Sequence, residues 1–365
     1  MNNAENVVVN KTPQKKKKNK NKKIIIALII VVVVLAAVGV GIAFAYNSLV
    51  TKLDKVDNVS LEGKDLDIND QVAEDLSDYR NILLLGIDTR AGESDENCRS
   101  DANIIVSINE KTNKIKLISI VRDSYLDLEE NGNHVIDKLT HAHAYGGPIN
   151  TIRALNRNLD LNISDFARVN WQTVADLVDN IGGLEVTIKD YEIDEMNKYI
   201  KDTNKSLKGD MTPIKKAGKQ KLNGIQAVTY CRIRKVGNGD VERAQRMRKT
   251  VNGAYEKVKT LKLSELDALA NKTLPEITTS LSSKEMAKLL MGFSSYKVED
   301  SEGWPYNWDG AMINGVSYDV PITLESNVIA LHKNAFGQKN YTPTDTVLKI
   351  SDKVAADSGY YGTQD

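Results

Sequence analysis

Aspartate and arginine occur together in four short segments of this chain, each at the edge of a predicted secondary-structure element. Gly86-Ile87-Asp88-Thr89-Arg90 follows the apolar run Asn81–Gly86, and Arg99-Ser100-Asp101 precedes the β-rich run Asn103–Ile108. Val121-Arg122-Asp123 closes the run Lys116–Val121. Arg232-Ile233-Arg234 is followed by Asp240, Arg243, Gln245, Arg246 and Arg248. Open α/β sheets build their sites at strand ends. If the four segments meet, the site holds several guanidinium groups and at least two carboxylates. Arginine forks match phosphate oxygens in bidentate geometry, which lysine does not reproduce. Carboxylates alone repel phosphate, whereas carboxylates with Mg²⁺ (or Mn²⁺) attract it, because the ion completes its shell with phosphate oxygens and water. Arginine and metal together stabilise the charge that develops on a leaving phosphate. That chemistry needs no covalent nucleophile, and none is evident. Each piece also has a plain structural reading. Asp88 can cap a turn, Arg99 and Asp101 can form a surface ion pair of little worth, and Arg243, Arg246 and Arg248 can be a solvated helix face. The phosphate reading rests on the four segments occurring in one domain.

Other chemistries find less support. His141 and His143 lie two apart and would share a face on a strand, but no HExxH or further zinc ligands accompany them. No GxSxG elbow, P-loop or dinucleotide fingerprint occurs, and Gly182-Gly183 reads as a helix stop. Cys98 and Cys231 show no metal spacing. They are either two buried thiols or, outside the cell, a disulfide closing a long loop worth roughly 4–5 kcal/mol in the chain-entropy model.

The elements that must carry these residues follow from periodicity. Asn81–Gly86 suits a buried strand, and Asn103–Ile108 and Lys116–Val121 suit a hairpin turning at Lys111–Lys114. After Gly146-Gly147-Pro148, Ile149, Ile152, Leu155 and Leu159 recur at helical spacing, with Pro148 in the first turn. Val174, Leu177, Val178 and Ile181 form a second helical face, followed by a strand over Leu184–Ile188. Gln220–Tyr230, Val241–Leu261, residues 264–295 and Glu325–Phe336 read as helical. Strands alternating with helices predict an α/β fold with a mixed central sheet flanked by helices.

The chain of 365 residues has a net charge of zero that hides a split. Residues 1–23 hold eight Lys against one Glu, leaving about +7 there and about −7 on the rest. A DNA-binding domain would show the opposite balance. Ile24–Tyr46 is an uncharged run of 23 residues. As a helix it spans roughly 34 Å, enough to cross a bilayer core of about 30 Å. Lys15–Lys18, Lys20, Lys22 and Lys23 precede it, which predicts a cytoplasmic N-terminus and an outward-facing remainder. A cleaved signal peptide ending near Ala43-Phe44-Ala45 is the alternative, though the run exceeds a usual signal core. The remaining organisation reads as an acidic stalk (47–78), a catalytic domain (79–262), a C-terminal extension (263–340) and a loose tail (341–365).

The motifs, taken in order, resemble those of the LytR–CpsA–Psr family of cell-wall glycopolymer ligases. They are Leu85–Arg90, Arg99-Ser100-Asp101, Ser119–Asp123, Asp137–Ala142 with Tyr145–Pro148, Leu177–Val186, Leu222-Asn223-Gly224, Tyr230–Arg234, and Asp240 with Arg243 and Arg246. The resemblance covers residues 81–261, and the basic flank with its apolar run is also that family's topology. It implies a polyprenyl-pyrophosphate-linked glycan as donor, with its lipid in an apolar groove, and peptidoglycan as acceptor through the muramic-acid C6 hydroxyl. It further implies Asp88 and Asp101 as Mg²⁺ ligands, and Arg90, Arg99, Arg122, Arg232, Arg234, Arg243 and Arg246, with Gln245, as pyrophosphate contacts. Asp88 or Asp240 would activate the hydroxyl. The sequence departs from the family where Met247 replaces a common Gln after the last Arg, and where Val241-Glu242 replaces an aromatic and Gly. Cys98 and Cys231 each precede a candidate site arginine, so a disulfide would pin the two arginine segments together. Two other readings stay open: a non-catalytic wall-associated scaffold that binds lipid-linked glycans, and a pyrophosphatase that hydrolyses the carrier.

Overall fold

The computed structural model describes residues 50–89, 95, 98–207, 209–237, 239–258, 260–291, 295–299 and 301–362. The predicted membrane span at 24–46 lies outside the described residues. Among the described residues, no helix is long and apolar enough to cross a membrane.

In chain order, β1 is Asp57–Asn58, α1 Asp70–Asp75, β2 Tyr79–Ile87, β3 Ser100–Asn109 and β4 Lys114–Ile120. Next come β5 Tyr125–Glu130, β6 Asn133–Lys138, α2 Leu139–Leu159, β7 Ile163–Asn170, α3 Trp171–Asn180 and β8 Leu184–Ile188. They are followed by α4 Asp190–Ser206, β9 Gly218–Leu222, α5 Gly224–Arg232, α6 Gly239–Val258, α7 Leu263–Thr273, β10 Thr278–Thr279 and α8 Ser283–Met291. The chain ends with β11 Lys297–Val298, β12 Glu302–Trp304, β13 Trp308–Ile313, β14 Val316–Pro321, α9 Leu324–Ala335 and α10 Asp345–Ser358.

The central sheet runs β1-β10-β7-β2-β3-β4-β11, with β12 pairing further along β4. It is mixed: β2 pairs β3 antiparallel and β7 parallel, and β3 pairs β4 antiparallel. Strand alternation sends successive side chains to opposite faces. In β2, Ile82 and Leu84 pack toward α3, α5 and α6, while Leu83 and Leu85 pack toward α2, α9 and α10. Both faces are covered, which is why β2 reads as a continuous apolar run. The β3–β4 hairpin turns where Lys111–Lys114 predicts it. Gly146 and Gly147 kink α2, so its straight part begins at Pro148 as expected.

Several predicted boundaries are corrected. Residues 50–78 are not a free stalk. Leu53, Val56, Val72 and Leu76 are buried, and β1 extends the sheet beside β10. Few apolar residues mark this stretch, but they recur at three- and four-residue spacing and close the ends of the core. The extension at 263–340 completes the sheet through β10, β11 and β12, with Trp304 fully buried. The predicted helix over 264–295 is therefore two helices around β10. The expected loose tail forms α10, with Thr344 as N-cap and Gly359 closing it at φ 78°. Val347, Ile350 and Val354 are its buried stripe. The predicted helix over 220–230 starts only at Gly224, because β9 occupies Gly218–Leu222 and the capping box of Asn223 with Gln226 sets the helix start.

Candidate active site

Four chain segments converge at one end of the central sheet. Asp88 follows β2, and its N–H donates to the Arg99 carbonyl at 3.1 Å, carrying the β2–β3 pairing past a register shift at Gly86/Ile87. Asp101 is the second residue of β3, and Arg99 immediately precedes that strand. Arg122 follows β4 and is braced on both sides. The Val121 N–H donates to the Trp304 carbonyl and the Asp319 N–H to the Asp123 carbonyl, each at 3.0 Å, and the Thr140 N–H donates to the Arg122 carbonyl at 2.9 Å. Arg232 ends α5, Arg234 follows it, and Arg243 lies early in α6.

Together Asp88, Arg99, Asp101, Arg122, Arg232, Arg234 and Arg243 line one cavity of about 550 Å³. Tyr199 of α4 and Lys235 also line it. Six cationic side chains face two carboxylates there. A concave surface with that surplus of positive charge draws and holds an anion. Asp101 is paired with Arg122 through Oδ1 and Nη1, and Asp123 lies 3.4 Å from Arg122 Nε and 3.6 Å from Lys138 Nζ. Arg232 Nη2 lies 3.9 Å from both Asp88 and Asp202. Arg122 is thus held by carboxylates on two sides, while Arg232 is only loosely paired. Asp88 and Asp101 face the same cavity, and among the described residues no group of three or more His, Cys, Asp or Glu could hold a metal. Two carboxylates suit an ion whose shell is completed by phosphate oxygens and water, the habit of Mg²⁺, rather than one caged entirely by protein.

A second, apolar cavity of about 80 Å³ lies between the sheet and helices α3, α5 and α6. Leu84, Ala102, Ile104, Trp171, Val174, Cys231 and Met247 line it. A small recess, more apolar than polar, lies between the two. It shares Ala102, Ile104 and Met247 with the apolar cavity, and Asp101, Arg122 and Arg243 with the cationic one.

Comparison with known proteins places the fold. The model of the LytR_cpsA_psr family matches residues 43–333. The chain belongs to that family. It is 32% identical over 245 residues to the polyisoprenyl-teichoic acid–peptidoglycan teichoic acid transferase TagT of Bacillus subtilis, covering 66% of this chain and 71% of that protein. A solved protein from Streptococcus agalactiae superposes with a TM-score of 0.62 at 25% identity, covering 75% of this chain and 92% of that one. TagT solved with bound octaprenyl pyrophosphate lipid superposes with a TM-score of 0.51 at 25% identity, covering 83% of this chain and all of that one.

Some site expectations drawn from the LytR_cpsA_psr resemblance are corrected by the structure. Arg246 is fully buried and faces Glu192 at 2.7 Å, so it does not reach the cavity. Gln245 is exposed on α6 and does not line the cavity either. Helix geometry explains Gln245, two positions on from Arg243 and so on another face. Arg246, three positions on, shares the face of Arg243 but is taken up one turn further along by Glu192 and the Ile233 and Val236 carbonyls. Arg90 and the side chain of Asp240 lie outside what the structure describes. Cys98 and Cys231 are both free and buried, and no bridge joins them. Cys98 Sγ donates to the Asp95 carbonyl at 3.2 Å, while Cys231 Sγ donates to Thr250 Oγ1 at 3.2 Å inside the apolar layer. Burial pushes both thiols up, Cys231 to about 12, which removes the reactive thiolate.

The histidines sit on a helix rather than a strand, and they do different things. His141 Nδ1 lies 2.7 Å from Asp137, which also accepts from Tyr145 at 2.7 Å and Tyr318 at 3.3 Å. Burial pushes the Asp137 carboxyl up, but the bonds from His141, Tyr145 and the Lys138 N–H outweigh it and hold the group at about 2. His143 is fully buried against Cys98. Lys235 and Tyr199 are the site residues that sequence reasoning missed. Lys235 extends the basic run Arg232–Arg234 and was legible there. Tyr199 lies on a helix with no motif, and no sequence signal marks it.

Proposed function

We propose that this protein transfers a glycan phosphate from a polyprenyl-pyrophosphate carrier to a hydroxyl of peptidoglycan, the muramic-acid C6 hydroxyl. The observation that carries this reading is the junction of a cationic cavity with an apolar one across β3 and Met247. An amphiphile with a diphosphate head and an isoprenoid tail needs both, side by side. The teichoic acid transferase name of TagT, and the octaprenyl pyrophosphate bound in a structure of TagT, support the same substrate class.

In this reading Arg99, Arg122, Arg232, Arg234 and Arg243 bind the diphosphate, and the carboxylates around Arg122 fix its guanidinium plane. Asp88 and Asp101 would hold Mg²⁺, which when bound supplies further charge stabilisation to the phosphate oxygens. The acceptor oxygen attacks the phosphorus bearing the glycan, forming one P–O bond as the P–O bond to the bridging oxygen breaks. Polyprenyl phosphate leaves, and the hydroxyl proton passes to Asp88 or Asp240. The arginines oppose the charge gathering on the leaving phosphate, where electrostatic stabilisation is worth most. The uncharged run at 24–46 would anchor the chain with this domain outside the membrane, where both substrates meet.

The test combines full-length protein, Mg²⁺, a short polyprenyl-pyrophosphate glycan and peptidoglycan fragments, with mass spectrometry of the products. A glycan–phosphate–muramic adduct is expected, and Arg122→Ala or Asp88→Ala should each lower its rate at least about 100-fold, the cost of removing one transition-state contact. Carrier cleavage without adduct would make the protein a pyrophosphatase. Binding without either product would make it a scaffold.

A further inference from the structure

Arg246 is among the largest side chains that the fold buries completely. Its Nε donates to Glu192 Oε1 at 2.7 Å, Nη1 to the Ile233 carbonyl at 3.0 Å and Nη2 to the Val236 carbonyl at 3.3 Å. Glu242 Oε2 lies 3.6 Å from Nη2. Both carboxylates are engaged elsewhere as well. Glu192 Oε2 accepts from the Lys189 N–H at 2.8 Å at the start of α4, and Glu242 Oε1 meets Lys189 Nζ and the Tyr191 hydroxyl. One guanidinium therefore ties together α6, the first turn of α4 and the loop from Ile233 to Val236.

That loop carries Arg234 and Lys235, both of which line the cationic cavity, and Arg243 lines it one helical turn before Arg246. Net stability does not explain the arrangement, because a buried ion pair can often be replaced by apolar residues of equal volume without loss. Geometry does. The guanidinium fork is planar and rigid and offers five donors, so it can hold two carbonyls of one loop in fixed directions while a carboxylate fixes its own plane. The loop also needs such a hold, since Arg234 and Lys235 repel each other and the other cavity cations.

We infer that Arg246 is a positioning residue: it grips the Ile233 and Val236 carbonyls, sets the loop that presents Arg234 and Lys235, and acts on the bound diphosphate through Arg234 without touching it. This inference rests on the diphosphate reading of the cavity. Its test is a double-mutant cycle on the full-length protein. Affinity for octaprenyl pyrophosphate is measured by calorimetry, and the melting temperature in parallel, for the parent, Arg246→Lys, Arg234→Ala and the pair. Lysine keeps the charge beside Glu192 but cannot reach both carbonyls. Arg246→Lys and Arg234→Ala are each expected to weaken binding about tenfold, the scale of one charge-assisted hydrogen bond. The double variant should lose less than the product of the two single losses, because residues acting through one another are not additive, and Lys235 on the same loop accounts for any loss beyond that of Arg234→Ala. A lowered melting temperature with unchanged affinity in Arg246→Lys would overturn the inference. So would independent, multiplicative losses in the pair. If Arg246→Lys does not fold, Arg246→Gln with Glu192→Gln removes the Arg246–Glu192 ion pair, leaves Glu242 its partner Lys189, and is read in the same cycle against Arg234→Ala. If the parent binds no octaprenyl pyrophosphate, the reading of the cavity fails first, and the inference falls with it.

Discussion

His143 makes the start of β3 sensitive to acid, and the size of the effect follows from its surroundings. Its Nδ1 lies 2.8 Å from the Cys98 carbonyl. A carbonyl can only accept, so the neutral ring carries its proton on Nδ1 and a lone pair on Nε2. Nε2 is buried and has no hydrogen-bond partner among the described residues. Burial is the main force lowering the imidazole pKa. The bond to Cys98 opposes it, the Arg168 charge adds to it, and the result is about 4 against an ordinary 6.5. The sign follows by linkage. Below pH 6.5 the unfolded chain takes up a proton that the folded chain refuses until pH 4, so stability is whole above about pH 7 and falls as pH drops through that window. A gap of about 2.5 units at 1.36 kcal/mol each makes the loss about 3 kcal/mol by pH 4 and about 1.4 kcal/mol at pH 5.5. Cys98 immediately precedes Arg99, so the segment that loosens carries a site arginine. The assay is urea denaturation of the parent and His143→Asn at pH 7, 5.5 and 4.5. Asparagine retains a donor for the Cys98 carbonyl but does not titrate, and every other group, His332 included, cancels in the difference. The parent should lose its advantage over the variant as pH falls. A difference that stays constant from pH 7 to 4.5 would refute the argument.

Truncation after Pro343 should cost on the order of 5 kcal/mol or more, because it exposes the partners of Val347, Ile350 and Val354, each worth roughly 1.5–3 kcal/mol buried. Thermal unfolding of the truncated chain checks this, and an unchanged melting temperature would restore the loose tail. For the cysteines, native protein should resist a thiol reagent, urea-unfolded protein should release two thiols without reductant, and reductant should leave the melting temperature where it was. Finding no free thiols in unfolded, unreduced protein would restore the bridge.

The sequence revealed the central strands and the cavity arginines more readily than the ends of the chain or the neighbours of those arginines. Asn81–Gly86, Asn103–Ile108 and Lys116–Val121 are buried on both faces, and a strand so placed announces itself as an apolar run bounded by turns. The residues of the cationic cavity are legible for a related reason. Asp88, Arg99, Asp101 and Arg122 stand where strands end, and strand ends at one edge of a sheet must share space. Residues 50–78 and α10 are harder. Each contributes only a few buried side chains, at helical spacing and inside strongly charged sequence, so composition reads as solvated while the pattern reads as packed.

Arg246 shows the limit most clearly. Its position in an arginine-rich motif makes it look like a phosphate ligand, and nothing in one dimension separates it from Arg243. On α6 the two are three residues apart, and each is flanked by a different environment: the cavity for Arg243, Glu192 and the Ile233–Val236 carbonyls for Arg246. Motif spacing reports that a helix carries two arginines toward one region. Which one lines the cavity and which one meets a buried carboxylate depends on Glu192, more than fifty residues earlier in the chain on a helix that bears no motif at all. The same long-range dependence hides Tyr199, whose place in the cavity wall is set by how α4 docks beside α5. A site of this kind is specified twice, once by the charged groups that meet the ligand and once by the buried groups that aim them, and only the first set carries a local signature.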